Sequence, residues 1–193
     1  MAIIDLPIEA DCRIGTNSGV LDTNYESSFG NFWHTNGSYE WRTVLRPNLS
    51  TLPAAAVISS VVLYLFVEGG TDNQNVDNLY RLRRQFVETE VTGRRARSGV
   101  NWTTYGAENT ESDRYPTSAG TITVPNSTQQ WRTMSISVSE FNALVLNNYG
   151  FLLKQVSGNL ERYYRSRSYS GYAPYFRVTY TLPTKRRGVI WFM

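Results

Sequence analysis

One cysteine, one histidine and two lysines are all that these 193 residues hold of those types. Cys12, being alone, cannot close an internal disulfide, so the chain is no stapled secreted scaffold and has to stand on packing. His34 lies in the aromatic run FGNFWHT. A His/Cys metal cluster is excluded by count, and any Ser/His/Asp or Cys/His arrangement would have to use this one imidazole, which reads as a strand residue. Long apolar runs are missing as well. The longest, AAAVISSVVLYLFV over residues 54–67, is shorter than the roughly 20 residues of a bilayer span and is broken by serines, so it reads as a buried strand and no membrane partner is expected. The opening MAIIDLPIEADCRIG has no basic leader, and Asp5, Glu9 and Asp11 interrupt its apolar residues, so no export signal is expected.

Helical periodicity is scarce too. The one helix predicted is SVSEFNALVLNN, capped by Ser139, with Phe141, Leu144 and Val145 on one side and Asn147 and Asn148 ending it. What the chain has instead is β-branched and aromatic residues in short runs between Gly, Asn, Ser and Pro clusters. These predict strands at 11–15, 29–34, 39–46, 58–67, 76–84, 120–124, 131–138, 150–155, 163–169 and 175–182. FRVTYT alternates strictly, with Phe176, Val178 and Tyr180 on one face. Leu63, Leu65, Phe151, Leu153, Phe176 and Val178 are the predicted core. Segments 68–75 and 105–118 read as long loops, where function tends to reside. The expected fold is all-β: a two-sheet antiparallel β-sandwich of jelly-roll type with one short helix, forming a single domain over 1–183 with a basic and apolar arm at 184–193.

Charge is nearly balanced at +3, but arginine outnumbers lysine 17 to 2. That ratio favours planar bidentate pairing over diffuse solvation. RLRRQFVETEVTGRRAR would suit a nucleic acid if Glu88, Glu90 and the acidic loop 108–113 did not oppose it, so no nucleic-acid partner is expected and the arginines are assigned to salt bridges between subunits. Glu88 and Glu90, two apart on an expected strand, could pair as in a glycosidase, but read better as a solvated edge answering nearby arginines. No cofactor is expected; structural calcium has Asp72, Asp77, Glu108, Glu111 and Asp113 as candidate ligands without a spacing signature.

Four segments in order resemble the DNRLRE-type β-sandwich domain, a relative of jelly-roll carbohydrate-binding modules. RTVLRPNLSTLPAAAVISSVVLYLFV matches its arginine-led strand and turn through Arg42, Leu49, Leu52, Pro53, Ile58, Ser59, Leu63 and Leu65. LYRLRRQFVETEVT with GVNWTTYGA, then the short helix leading into NNYGFLLK, then YRSRSYSGYAPYFRVTYT, are similar to the segments that follow. The resemblance covers 11 to about 182. It departs at Phe86 and Gly93, where the family commonly has tryptophans, and at the tail from Lys185. It implies a binding or structural module and carries no fixed catalytic triad.

Two functions are compatible with this reading, neither enzymatic. The favoured expectation is a virion protein of a tailed phage, such as a capsid decoration or other surface protein, made in the host cytoplasm. It would be capsid-bound or homo-oligomeric, gripping other virion subunits through Arg186, Arg187, Val189, Ile190, Trp191, Phe192 and Met193. The alternative is a carbohydrate-binding module for an anionic polysaccharide, because flat sugar C–H faces stack on aromatic rings. Its candidate residues are Trp102, Tyr105, Tyr163, Tyr164, Tyr169 and Tyr172.

Overall fold

The computed structural model describes residues 1–26, 40–70, 75–124, 129–157 and 162–183. The expected strand 29–34 with His34, Asp72, and the arm residues Arg186 to Met193 lie outside them. Among the described residues the chain forms β1 (Ala2–Gly15), β2 (Trp41–Pro47), β3 (Val57–Gly70), β4 (Asn75–Leu82), β5 (Arg95–Arg97), β6 (Val100–Asn101), β7 (Arg114–Val124), β8 (Gln130–Ile136), helix α1 (Val138–Leu146), β9 (Phe151–Ser157), β10 (Arg162–Tyr164) and β11 (Tyr175–Thr181).

These strands do not make a two-sheet sandwich. Eight of them form a closed antiparallel barrel in the order β3, β11, β1, β2, β9, β4, β7, β8, with β8 returning to β3. The closing seam runs from Val61 paired with Ile136 to Val67 paired with Gln130. β3 is long enough to have neighbours on both edges, β11 along Val57–Tyr64 and β8 along Val61–Val67. Closure removes the free edges that a sandwich would keep. The many short strands and scarce helix that suggested a sandwich are present, but a barrel is built of the same strands, and their alternation reports only which side chains face inward.

The barrel interior holds Leu6, Ile8, Leu45, Leu63, Leu65, Leu79, Met134, Phe151, Leu153, Phe176 and Val178, plugged by Phe141 and Leu144 of α1. All six residues predicted as core are fully buried. The helix starts two residues earlier than expected. Ser137, not Ser139, is the cap and accepts from the Glu140 N–H, while Val145 faces solvent. The strand expected at 11–15 starts earlier, at Ala2, and in the added stretch Ile4, Leu6 and Ile8 alternate toward the core.

A second core lies on the other side of the wall. A β-bulge between Ile8 and Ala10 adds one residue, so the even positions swap faces and Ala10, Cys12 and Ile14 leave the interior for this second cluster. Val44, Leu82 and Leu152 join them from β2, β4 and β9, and Phe86, Val91, Ala96, Trp102 and Ala107 cover them from segment 83–113. β2 is therefore buried on both faces. The covering segment docks tightly: a Cβ on Gly93 would stand 1.6 Å from the Gly15 carbonyl oxygen, so no larger side chain, tryptophan included, fits there. Among the described residues, the 83–113 layer does not extend over the wall formed by β8, β3 and β11.

Candidate ligand-binding site

Side chains on the β8–β3–β11 wall are the ones that alternation turns away from the core: Tyr64 and Phe66 beside buried Leu63 and Leu65 on β3, Trp131 on β8, Tyr175 beside buried Phe176 on β11. Strand register brings them together. Phe66 is paired with Trp131 and Tyr64 with Tyr175. Trp131 meets Phe66 edge-on at 5.5 Å and Tyr175 at 5.7 Å, while Tyr64 and Tyr175 stack at 4.6 Å with their planes 6° apart. Such pairs add to area burial and hold the rings in fixed orientations.

The segment after β10 completes the group. Its backbone turns twice, Tyr169 N–H onto Ser166 O and Tyr172 N–H onto Tyr169 O, with Gly171 in the left-handed region at φ 84°. This brings Tyr172 to 4.2 Å from Phe66 and 6.3 Å from Tyr169. Phe66, Trp131 and Tyr172, with Glu68, Gln129, Gln130 and Arg165, line an open cleft of about 480 Å³. That is the size of an ordinary small-molecule site, about 300–1,000 Å³. Trp131, Tyr169 and Tyr172 remain 37%, 38% and 42% exposed.

Charge in the cleft is internally matched. Arg165 Nε donates to Glu68 Oε2 at 2.6 Å, its Nη2 meets Oε1, and its guanidinium lies 3.4 Å over the Tyr169 ring. Gln129, at φ 53°, and Gln130 supply neutral amides. The arrangement offers flat rings beside short-range hydrogen-bonding groups.

A smaller recess of about 240 Å³ is lined by Asp11, Glu26, Glu88, Arg167 and Ser168. Asp11 is buried, and its Oδ2 accepts the Arg167 N–H at 2.8 Å, which anchors the tyrosine-bearing segment to β1. Burial pushes its pKa up to about 7; the Arg167 N–H pulls it down, Glu88 pushes it up and the Arg167 charge pulls it down. Glu88 in turn takes Arg167 Nε at 2.6 Å and the Asp11 N–H at 2.8 Å. Cys12, in the second core, is driven by burial up to about 12 and has no nucleophilic character.

Of the six aromatic residues expected at a glycan site, Tyr172 lines this cleft and Tyr169 flanks it. Trp102 and Tyr164 do not belong there. Trp102 is in the second core with its indole N–H on Thr92 O at 3.0 Å, and Tyr164 is in the barrel core with its hydroxyl on Asp77 Oδ2 at 2.5 Å. Tyr105 is exposed on the covering segment, where its hydroxyl accepts from Arg94 at 3.0 Å, and Tyr163 is half-buried on β10. Trp131, Phe66, Tyr64 and Tyr175 escaped notice. The signal for Tyr64 and Phe66 was their parity against Leu63 and Leu65.

The other expectations resolve similarly. Glu88 and Glu90 sit in a turn, not on one strand face; Glu88 holds Arg167 and Glu90 accepts the Ser98 N–H. The arginines assigned to subunit contacts are knitted within the chain, Arg42 to Glu40 and Glu108, Arg46 to Glu9, Arg81 to Glu140, Arg84 to Asp113, Arg94 to Asp22, Arg177 to Asp5. Among the described residues no three His, Cys, Asp or Glu side chains are grouped to hold a metal. Asp113 instead accepts the N–H groups of Thr103, Thr104 and Asn109. Glu108, although burial opposes its charge, is held below the usual carboxylate range by Arg42, Lys154 and Arg114. Among the described residues no helix is long and apolar enough to cross a membrane.

Fold and site together define a class: a closed eight-stranded antiparallel β-barrel with an aromatic cleft on its outer wall. No protein-family model matches the chain, and a search of the curated proteins finds no match.

Proposed function

We propose that this protein is a non-catalytic glycan-binding module whose ligand lies on the β8–β3–β11 wall. The observation that supports this reading is the exposed Trp131–Tyr172 pair, 6.5 Å apart, bordering a cleft whose remaining lining is Phe66 and the polar side chains of Glu68, Gln129, Gln130 and Arg165. Sugars present flat apolar faces ringed by hydroxyls, and such a surface complements both features at once. The test is affinity electrophoresis in gels containing soluble polysaccharides: retardation of the native protein by at least one polymer is expected, and migration unchanged by every polymer sinks the reading.

A second reading, a virion subunit docking on a neighbour, is favoured by the apolar fringe at one barrel end, where Ile3, Val57 and Leu182 are all more than half exposed. Register places them together, since Ala2 pairs with Tyr180 and Thr181 with Val57. Deleting 185–193 should then leave a folded monomer that no longer joins its particle or oligomer; normal assembly, or unfolding, argues against it.

A further inference from the structure

We propose that the Glu68–Arg165 pair is a specificity filter that makes the cleft select neutral glycans and reject uronate-bearing ones. This rests on the glycan reading above and departs from the expectation of an anionic polymer. The described lining has two charged groups, and they are spent on each other. Both carboxylate oxygens of Glu68 are engaged by Arg165, through Nε at 2.6 Å and through Nη2. One face of the same guanidinium is covered by the Tyr169 ring at 3.4 Å. The side chains of Arg165 and Glu68 are only 13% and 25% exposed, so neither charge is freely solvated.

An incoming carboxylate would meet Glu68 as a like charge, and the Nε/Nη2 edge of Arg165, the fork that would seat it bidentately, is already held by Glu68. Neutral hydroxyls face no such competition. Gln129 and Gln130 each carry one acceptor and a two-donor amide group, which suits vicinal hydroxyls, and the exposed rings of Trp131 and Tyr172, backed by buried Phe66, accept an uncharged sugar face. The pair also rigidifies the cleft, because it ties β3 to the segment that carries Tyr169 and Tyr172.

The experiment is affinity electrophoresis of the full chain against neutral polymers (a β-glucan, a xylan, a galactomannan) and uronates (polygalacturonate, alginate), at low and high salt. The wild type should be retarded by at least one neutral polymer, with little dependence on salt, and by neither uronate. Trp131→Ala and, separately, Tyr172→Ala should abolish that retardation while their circular dichroism spectra and cooperative melts persist. Glu68→Gln releases Arg165 and should create retention on polygalacturonate at low salt, about tenfold above wild type and lost at high salt. Wild-type retention on uronates overturns the filter and leaves the glycan reading standing. Neutral binding in the wild type with no gain in Glu68→Gln also overturns it. Retardation by no polymer at all overturns the glycan reading, and the filter with it.

Discussion

Trp131 and Phe66 face each other across the seam that closes the barrel, paired in register, their rings edge to face at 5.5 Å and 80°. The same contact that seals β8 to β3 thus builds the floor of the cleft. Trp131→Ala removes a half-exposed ring, so its cost to stability should be modest, about 1–2 kcal/mol, against complete loss of retention on a neutral glycan. A urea titration beside the affinity gel checks both; loss of folding without any initial binding would make Trp131 a seam residue alone.

Leu65 is fully buried inside the barrel, on β3 opposite Arg132 of β8. Leu65→Ala should cost about 2–5 kcal/mol through lost burial and the cavity left behind. Equilibrium urea denaturation measures it, and a loss under about half a kcal/mol contradicts the packing described.

Asp113 has no solvent exposure and binds three backbone N–H groups and Arg84. It organises the loop by itself, in the place where calcium had been considered. Asp113→Ala should destabilise by about 3–5 kcal/mol, since the donors lose their acceptor and Arg84 its partner. A chelator should leave the melting temperature of the wild type unchanged. A chelator-induced drop would return the loop to the metal reading.

Asp11 gives the protein a pH dependence of definite sign. Its pKa rises from 3.8 in the unfolded chain to about 7 when folded, chiefly by burial. Between those values the folded state holds a proton that the unfolded chain has released, so stability falls as pH rises through the window and levels off above it. The loss is at most about 4 kcal/mol. Asp11→Asn can still accept the Arg167 N–H and has no charge to desolvate. The drop in melting temperature between about pH 5 and about pH 8 should therefore shrink in this variant. An identical pH profile for the two proteins would show that Asp11 is ionised in the fold.

Local chemistry made much of this protein readable before folding was considered. β-Branched and aromatic runs between turn formers located nine of the strands, the apolar run 54–67 marked Leu63 and Leu65 as core, period-two alternation in FRVTYT did so for Phe176 and Val178, and one short amphipathic run marked α1. Those signals are intrinsic to adjacent residues, so they survive without a partner. The closure of the sheet does not: it depends on β3 pairing with both β11 and β8, contacts between segments far apart in sequence that leave no trace in either strand's own pattern. The face swap at the Ile8–Ala10 bulge and the second core over β2 and β9 are likewise decided by register and by where segment 83–113 comes to rest. The site follows the same division. Composition supplied the aromatic residues, but whether a given ring becomes core or wall was settled by the tertiary structure: Tyr164 faces the barrel interior, Trp102 is carried into the second core by the covering segment, and Trp131 and Tyr172 lie on the wall that this segment does not reach.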